Sequence, residues 1–314
     1  MSFLFENIKL GRQGGEVMFE EFQKSGKWKK VVPIEKGRSN DKKYYIETVD
    51  EQKLLLRISD IEYYEQKKKE FDIIKKYSAL NFEMSKPVEF GIFHKSQKIY
   101  MLLTWVDGRD LELALPKLNQ SEQYRLGREA GKILRRIHSI KIPSDEFPVE
   151  TKIPKKILQL RKYIESEHRI QDDETAIQFI NQNIHKIWSK PPVYQHGDFH
   201  PGNLILTPGN KIGVIDFNRW EIGDPYEEFY KLESFGTDVS TPYCIGQINA
   251  YFDDNVPGDF WDILAVYVAH ASLYSIKWAE RFGQDEIENM VRICKKSFDH
   301  YNNFKNSVPN WYQK

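Results

Sequence analysis

An α+β chain is predicted here, with a five-stranded antiparallel lobe first and a mostly helical lobe after it, and three observations predict it. In the first third, short runs rich in β-branched, aliphatic and aromatic residues alternate with turn residues. From Ser121 onward apolar residues recur at spacings of three and four, as at Leu126, Ala130, Ile133, Leu134 and Ile137. Between the two regimes, Thr104-Trp105-Val106-Asp107-Gly108 reads as a linker. The organisation this gives is a first lobe over residues 1–104, a linker over 105–110 and a second lobe over 111–314. At 314 residues each lobe can bury a core of its own.

Residues 15–28 carry Val17, Met18, Phe19 and Phe22 in a weak helical pattern. Three candidate strands follow over 28–35, 43–49 and 53–58, separated by Gly37-Arg38-Ser39-Asn40-Asp41 and by Asp50-Glu51-Gln52 as turns. Residues 61–80 form a charged helix whose Phe71, Ile73, Ile74 and Tyr77 are spaced to face a sheet. Strands over 87–93 and 98–103 complete the five. In the second lobe, helices are predicted over 154–167, 173–188, 225–234, 241–252, 260–281 and 284–305.

Charge and composition exclude several functions. Lysines and arginines balance aspartates and glutamates at 46 each, so nothing favours nucleic acid or an anionic membrane as a general partner. The apolar run from Ile263 to Ile276 is interrupted by His270 and too short to span a bilayer, so it reads as a buried helix. The first residues, Met1-Ser2-Phe3-Leu4-Phe5-Glu6, lack a basic leader, and Cys244 and Cys294 make no metal spacing. A reduced cytoplasm is the expected location. Oligomeric state is not legible.

Chemistry concentrates in one stretch. His196-Gly197-Asp198-Phe199-His200-Pro201-Gly202-Asn203 is followed by Leu204-Ile205-Leu206, the turn Thr207-Pro208-Gly209-Asn210, a second apolar run over 212–215, and Asp216-Phe217. Two short buried strands joined by a turn would hold one acidic loop beside another. Asp198, Asn203 and Asp216 keep the order and spacing of the protein-kinase segments that carry a catalytic aspartate and two metal ligands. Phosphoryl transfer needs few groups: a carboxylate at the acceptor hydroxyl, and hard oxygen donors for magnesium on the phosphates.

The motif His196-Gly197-Asp198-x-His200-Pro201-Gly202-Asn203 with Ile215-Asp216-Phe217 resembles the aminoglycoside phosphotransferase and choline kinase superfamily, whose fold is protein-kinase-like and two-lobed. The resemblance implies a small-molecule kinase that uses ATP or GTP with Mg2+. Asp198 would be the catalytic base, with Asn203 and Asp216 as the metal ligands. In the first lobe it assigns Ser39, in the first turn, to the nucleotide phosphates. Arg57, on Leu54-Leu55-Leu56-Arg57-Ile58, stands where many members have lysine and would also meet the phosphates, with Lys53 as the fallback. Its carboxylate partner would be Glu70, with Glu65 in reserve. Backbone groups of Thr104 and Val106 would meet the purine.

Two other readings use the same residues. His196, Asp198, His200 and Asp216 could be donors of a metallohydrolase, because alternating residues of an extended segment share a face. Arg57 and the glycine-poor first turn would suit a nucleotide-binding pseudokinase. Arg219 and Asp224 read as supports, Asp224 as the cap of a helix starting at Pro225. The acceptor is expected to be cationic, an aminoglycoside-like amine first and a choline-like ammonium second. Residues 224–288 hold 13 acidic side chains against 3 basic ones, and Glu227, Glu228, Glu233 and Asp238 are the candidates to contact it.

Overall fold

The computed structural model describes residues 28–35, 40–93 and 96–312. The helix expected over 15–28 and the residue Ser39 lie outside the described residues, apart from Trp28. The chain divides into two compact units, residues 1–106 and 107–314.

In the first unit the strands are β1 (Trp28–Ile34), β2 (Lys42–Thr48), β3 (Lys53–Asp60), a two-residue β4 (Glu83–Met84), β5 (Pro87–Phe93) and β6 (Lys98–Thr104). Five of them form an antiparallel sheet in the order β1-β2-β3-β6-β5, matching the five predicted from turn residues and β-branched runs. Strand side chains alternate between faces. On one face Tyr44, Ile46, Leu54, Leu56, Ile58, Phe93 and Leu102 make an apolar core. On the other, the register pairs Arg57 with Met101. Helix α1 (Tyr64–Ser78) buries Glu70, Ile73, Ile74 and Tyr77 and packs on β5 and β6. An apolar stripe with one glutamate in it marks where the unit keeps a buried charge.

The second unit is mainly helical: α2 (Leu111–Ala114), α3 (Gln120–His138), α4 (Ile153–Ile164), α5 (Glu174–Asn183), α6 (Thr241–Tyr251), α7 (Gly258–Ala279) and α8 (Gln284–His300). Helix α3 opens with Asn119 accepting from Glu122 N–H at 3.0 Å, an ordinary asparagine cap. It lies backbone-close to α6. A methyl group added at Gly127 would sit 2.1 Å from the Tyr243 carbonyl oxygen, and one added at Gly131 would sit 2.2 Å from that of Gln247. Helix α7 contains the apolar run from Ile263 to Ile276 and packs against α4, α5 and α8, as expected for a buried helix. His270 sits inside it and donates from Nε2 to the Lys156 carbonyl at 2.9 Å. Burial lowers its imidazole to about 3, so the ring is neutral. Cys244 in α6 and Cys294 in α8 are free thiols and fully buried. No helix among the described residues is long and apolar enough to cross a membrane.

The helix predicted over 225–234 is not one continuous helix. A single tight turn covers Glu227–Phe229, and a wider π-type turn covers Leu232–Gly236, where Thr237 N–H reaches the Leu232 carbonyl at 2.9 Å. The stretch is too short for helical period to reveal such a change of pitch.

Candidate active site

The strands β7 (Leu204–Leu206) and β8 (Ile212–Val214) pair antiparallel with Leu204 opposite Val214. Asn203 therefore precedes one strand, and Asp216 follows the other by two residues. The ladder is extended by Ile215 N–H, which donates to the Asn203 carbonyl at 3.1 Å. Asn203 also donates from its side-chain amide to the Asp198 carbonyl at 2.9 Å. One hairpin end thus gathers all three motif residues. Asp216 has a φ of 62°, in the left-handed region that aspartate and asparagine enter more readily than other non-glycine residues.

Buried hydrogen bonds hold the loop before Asn203. His196 is fully buried; its Nδ1 accepts from Asp198 N–H at 3.2 Å and its Nε2 donates to the Ile215 carbonyl at 3.1 Å. Both ring nitrogens are engaged by backbone, which removes His196 from the donors the metallohydrolase reading needs. Among the described residues no three His, Cys, Asp or Glu side chains are grouped to hold a metal ion. Gly197 has a φ of +79°, and a Cβ there would lie 1.9 Å from the Arg219 carbonyl oxygen, so only glycine fits. The buried carboxylate of Glu228 accepts from His196 N–H at 2.7 Å and from Gly197 N–H at 2.8 Å.

The Asp198 carboxylate meets cations. Its Oδ1 lies 2.7 Å from Lys231 Nζ, and its Oδ2 lies 3.5 Å from Arg219 Nε. Burial alone would raise its pKa; Lys231 first, with Arg219 beside it, overcomes burial and holds it well below the usual carboxylate range. His200 Nε2 is 3.6 Å from Asp198 Oδ1, while its Nδ1 accepts from Gly202 N–H. Burial lowers the His200 imidazole to about 4 despite Asp198, so it is neutral at physiological pH and Lys231 and Arg219 are the cations that count.

In the first unit the structure brings Arg57 to Glu70, the expected pair, through an ion pair from Nη1. It adds two residues. Asp41 accepts from Arg57 Nε at 3.0 Å, from Ser59 Oγ at 2.6 Å and from Lys67 Nζ at 2.7 Å, and Lys67 also reaches Glu70 at 3.3 Å. Arg57, Asp41, Glu70 and Lys67 form a closed set of two cations and two anions. Lys53 and Glu65, the fallback candidates, are exposed. Thr104 N–H donates to the Lys86 carbonyl at 2.8 Å and its hydroxyl accepts from Lys86 N–H at 2.8 Å. A purine contact from Thr104 would therefore have to come from its carbonyl. Val106, the last residue of this unit, is half-buried.

Residues 30–261 match the profile of the phosphotransferase enzyme family. The chain belongs to that family. Solved structures agree in fold. The ADP-bound aminoglycoside phosphotransferase APH(2'')-Ib superposes with a TM-score of 0.64 at 19% identity, covering 90% of this chain and 98% of that one. The GDP complex of aminoglycoside 2'-phosphotransferase-IIIa gives 0.66 at 14% identity, covering 90% and 96%. Amicoumacin kinase hAmiN, in complex with AMP-PNP, Ca2+ and Ami, gives 0.63 at 15% identity, covering 93% and 95%. No curated protein matches in sequence.

The structure of this phosphotransferase corrects the acidic-cleft expectation. Glu227 pairs with Lys156, and Glu228 holds the loop backbone. Glu233 is buried, accepting from Trp311 Nε1 at 2.7 Å and lying 2.7 Å from His300 Nδ1. Asp238 pairs with Lys296 at 2.9 Å and Arg292 at 3.1 Å. All four are used inside the unit, by partners distant in sequence. Asp224 is a buried support but caps no helix: it accepts from Trp188 N–H at 2.7 Å, Tyr226 N–H at 2.9 Å and the Tyr267 hydroxyl at 2.9 Å. Sequence reasoning missed Asp41, Lys67 and Lys231 as members of the charged clusters. For Asp41 a signal existed, since antiparallel pairing of Lys42 with Ile58 puts its neighbour beside Ser59, on the face of Arg57.

Proposed function

We propose that this phosphotransferase moves the γ-phosphoryl group of ATP or GTP to a hydroxyl of a small molecule. Asp198 orients that hydroxyl and takes its proton, and Asn203 and Asp216 hold Mg2+. The observation that carries the reading is the hairpin end, which gathers a carboxylate held ionised by two cations together with an amide and a second carboxylate. The donor set suits magnesium, a hard cation that binds oxygen. Asn203 uses its amide nitrogen on the Asp198 carbonyl, which leaves the amide oxygen as the donor. Bound there, Mg2+ would neutralise charge on the phosphates. In the first unit Arg57, braced by Glu70, is the candidate cation for the phosphates, and Ser39, Thr104 and Val106 are the further candidates for nucleotide.

The experiment is a nucleotide titration with and without Mg2+. Asp216→Ala is expected to abolish the magnesium-dependent part of binding and Asn203→Ala to weaken it less, since a charged ligand contributes more than a neutral amide. The opposite order would reassign the metal site. Nucleotide consumption across hydroxyl acceptors then identifies the substrate class. Aminoglycosides and amicoumacin head the panel because the structural neighbours carry those names. Neutral sugars and anionic hydroxy compounds belong on it too, because the four carboxylates that argued for a cation are engaged elsewhere.

A further inference from the structure

Lys231 is 7% exposed, and Asp198 is the single carboxylate its ammonium meets among the described residues. The rings of Tyr230 and Phe235 flank its Nζ, with centroids at 5.0 and 5.4 Å. Burying an ammonium is costly, and replacing a buried ion pair by apolar groups is commonly neutral or stabilising, so packing gives no reason for a lysine here. The backbone is shaped around it as well. The π-type turn begins directly after Lys231, a geometry concentrated at functional sites, and the same turn lays Phe235 on the His200 ring at 5.0 Å between centroids.

Resting on the phosphotransfer reading above, we propose that Lys231 is a positioning residue for the transfer step, binding Asp198 Oδ1 so that Oδ2 is kept for the acceptor hydroxyl. Oδ2 faces Arg219, whose side chain is 47% exposed. In the step, the acceptor oxygen forms its bond to the γ-phosphorus as its proton passes to Oδ2. The bond from that phosphorus to the bridging oxygen breaks, and its electron pair leaves on the nucleoside diphosphate. The proton then passes to solvent. Lys231 remains an ammonium throughout and acts only through the carboxylate it fixes.

The test is steady-state phosphate release from Mg2+-ATP or Mg2+-GTP with water as acceptor. Lys231→Met is expected to lower kcat about 100-fold, the scale of a misplaced general base, with the nucleotide KM nearly unchanged. Lys231→Arg should restore a tenth or more of the rate. In an Asp198→Asn background, Lys231→Met should cost nothing further, because it acts through that carboxylate. Additive losses, or a rise in KM in place of a fall in kcat, would overturn the role. A wild-type rate in Lys231→Met beside an inactive Asp198→Asn overturns this proposal alone. A rate retained in Asp198→Asn itself overturns the phosphotransfer reading beneath it. Should Lys231→Met fail to fold, Lys231→Gln carries the same expectation, and a wild-type kcat in it is equally fatal.

Discussion

Two buried charge clusters, one in each unit, solve the same electrostatic problem in opposite ways. Around Arg57, two cations and two carboxylates close on one another, and Ser59 fills a remaining lone pair of Asp41. Around Asp198, a single carboxylate faces Lys231 and Arg219, and the imidazole beside it is neutral. Two cations and two carboxylates that close on one another hold each other rigidly. A carboxylate between two cations, one of them half-exposed, is ionised and can still accept a proton donor from outside. The first cluster is a brace; the second is built to be approached.

The contrast breaks hardest at Asp198. Asp198→Asn should reduce turnover by about 10²–10⁴-fold while nucleotide affinity stays close to wild type. The ion pair with Lys231 adds an expectation that the sequence did not suggest, a lowered melting temperature, because a buried ammonium is left without its partner. Calorimetry and turnover on one preparation check both. Next in size is Arg57→Ala, which leaves the two buried carboxylates of Asp41 and Glu70 to share Lys67 and should cost about 3–5 kcal/mol in denaturant unfolding, with a raised nucleotide KM in whatever folds. The third concerns acid. Burial would raise Asp41, but Arg57 and Lys67 prevail and bring it from 3.8 to about 2. A carboxyl depressed in the folded state stabilises above its unfolded pKa and loses that contribution as pH falls through the folded one. Wild type should thus lose about 2 kcal/mol between roughly pH 4 and 2 that Asp41→Asn does not lose, readable as a difference in their acid unfolding profiles. Smallest are Lys53→Ala and Glu65→Ala, exposed and outside the closed set, which should shift stability by no more than about 0.5 kcal/mol.

How much of this was legible depended on the range of the interaction. Strands and turns of the first unit are local signals, and β5 falls on the predicted residues 87–93. Asp198, Asn203 and Asp216 were legible because a hairpin fixes their spacing along a short stretch of chain. The partners of those residues were not, since Lys231 comes 33 positions after Asp198 and nothing in a charge count shows which way a side chain points. The same blindness produced the acidic-cleft expectation. A window of sequence shows Glu227 and Glu233 as surplus negative charge, whereas the fold supplies Lys156 from one side and His300 with Trp311 from the other. Glu228 was legible as a carboxylate and illegible as an acceptor for backbone amides, because backbone donors carry no mark in a sequence.

The two buried thiols give the helical unit a built-in reporter of its own opening. Burial pushes both thiols far above their ordinary range, so neither presents a thiolate while the helices stay packed. Cys244 Sγ comes so near Gly236 that a methyl group there would lie 2.8 Å from it, which ties its exposure to the turn that follows Lys231. Alkylation of Cys244 therefore times the loosening of that turn, and alkylation of Cys294 times the release of α8, in the unmodified chain and without an introduced probe.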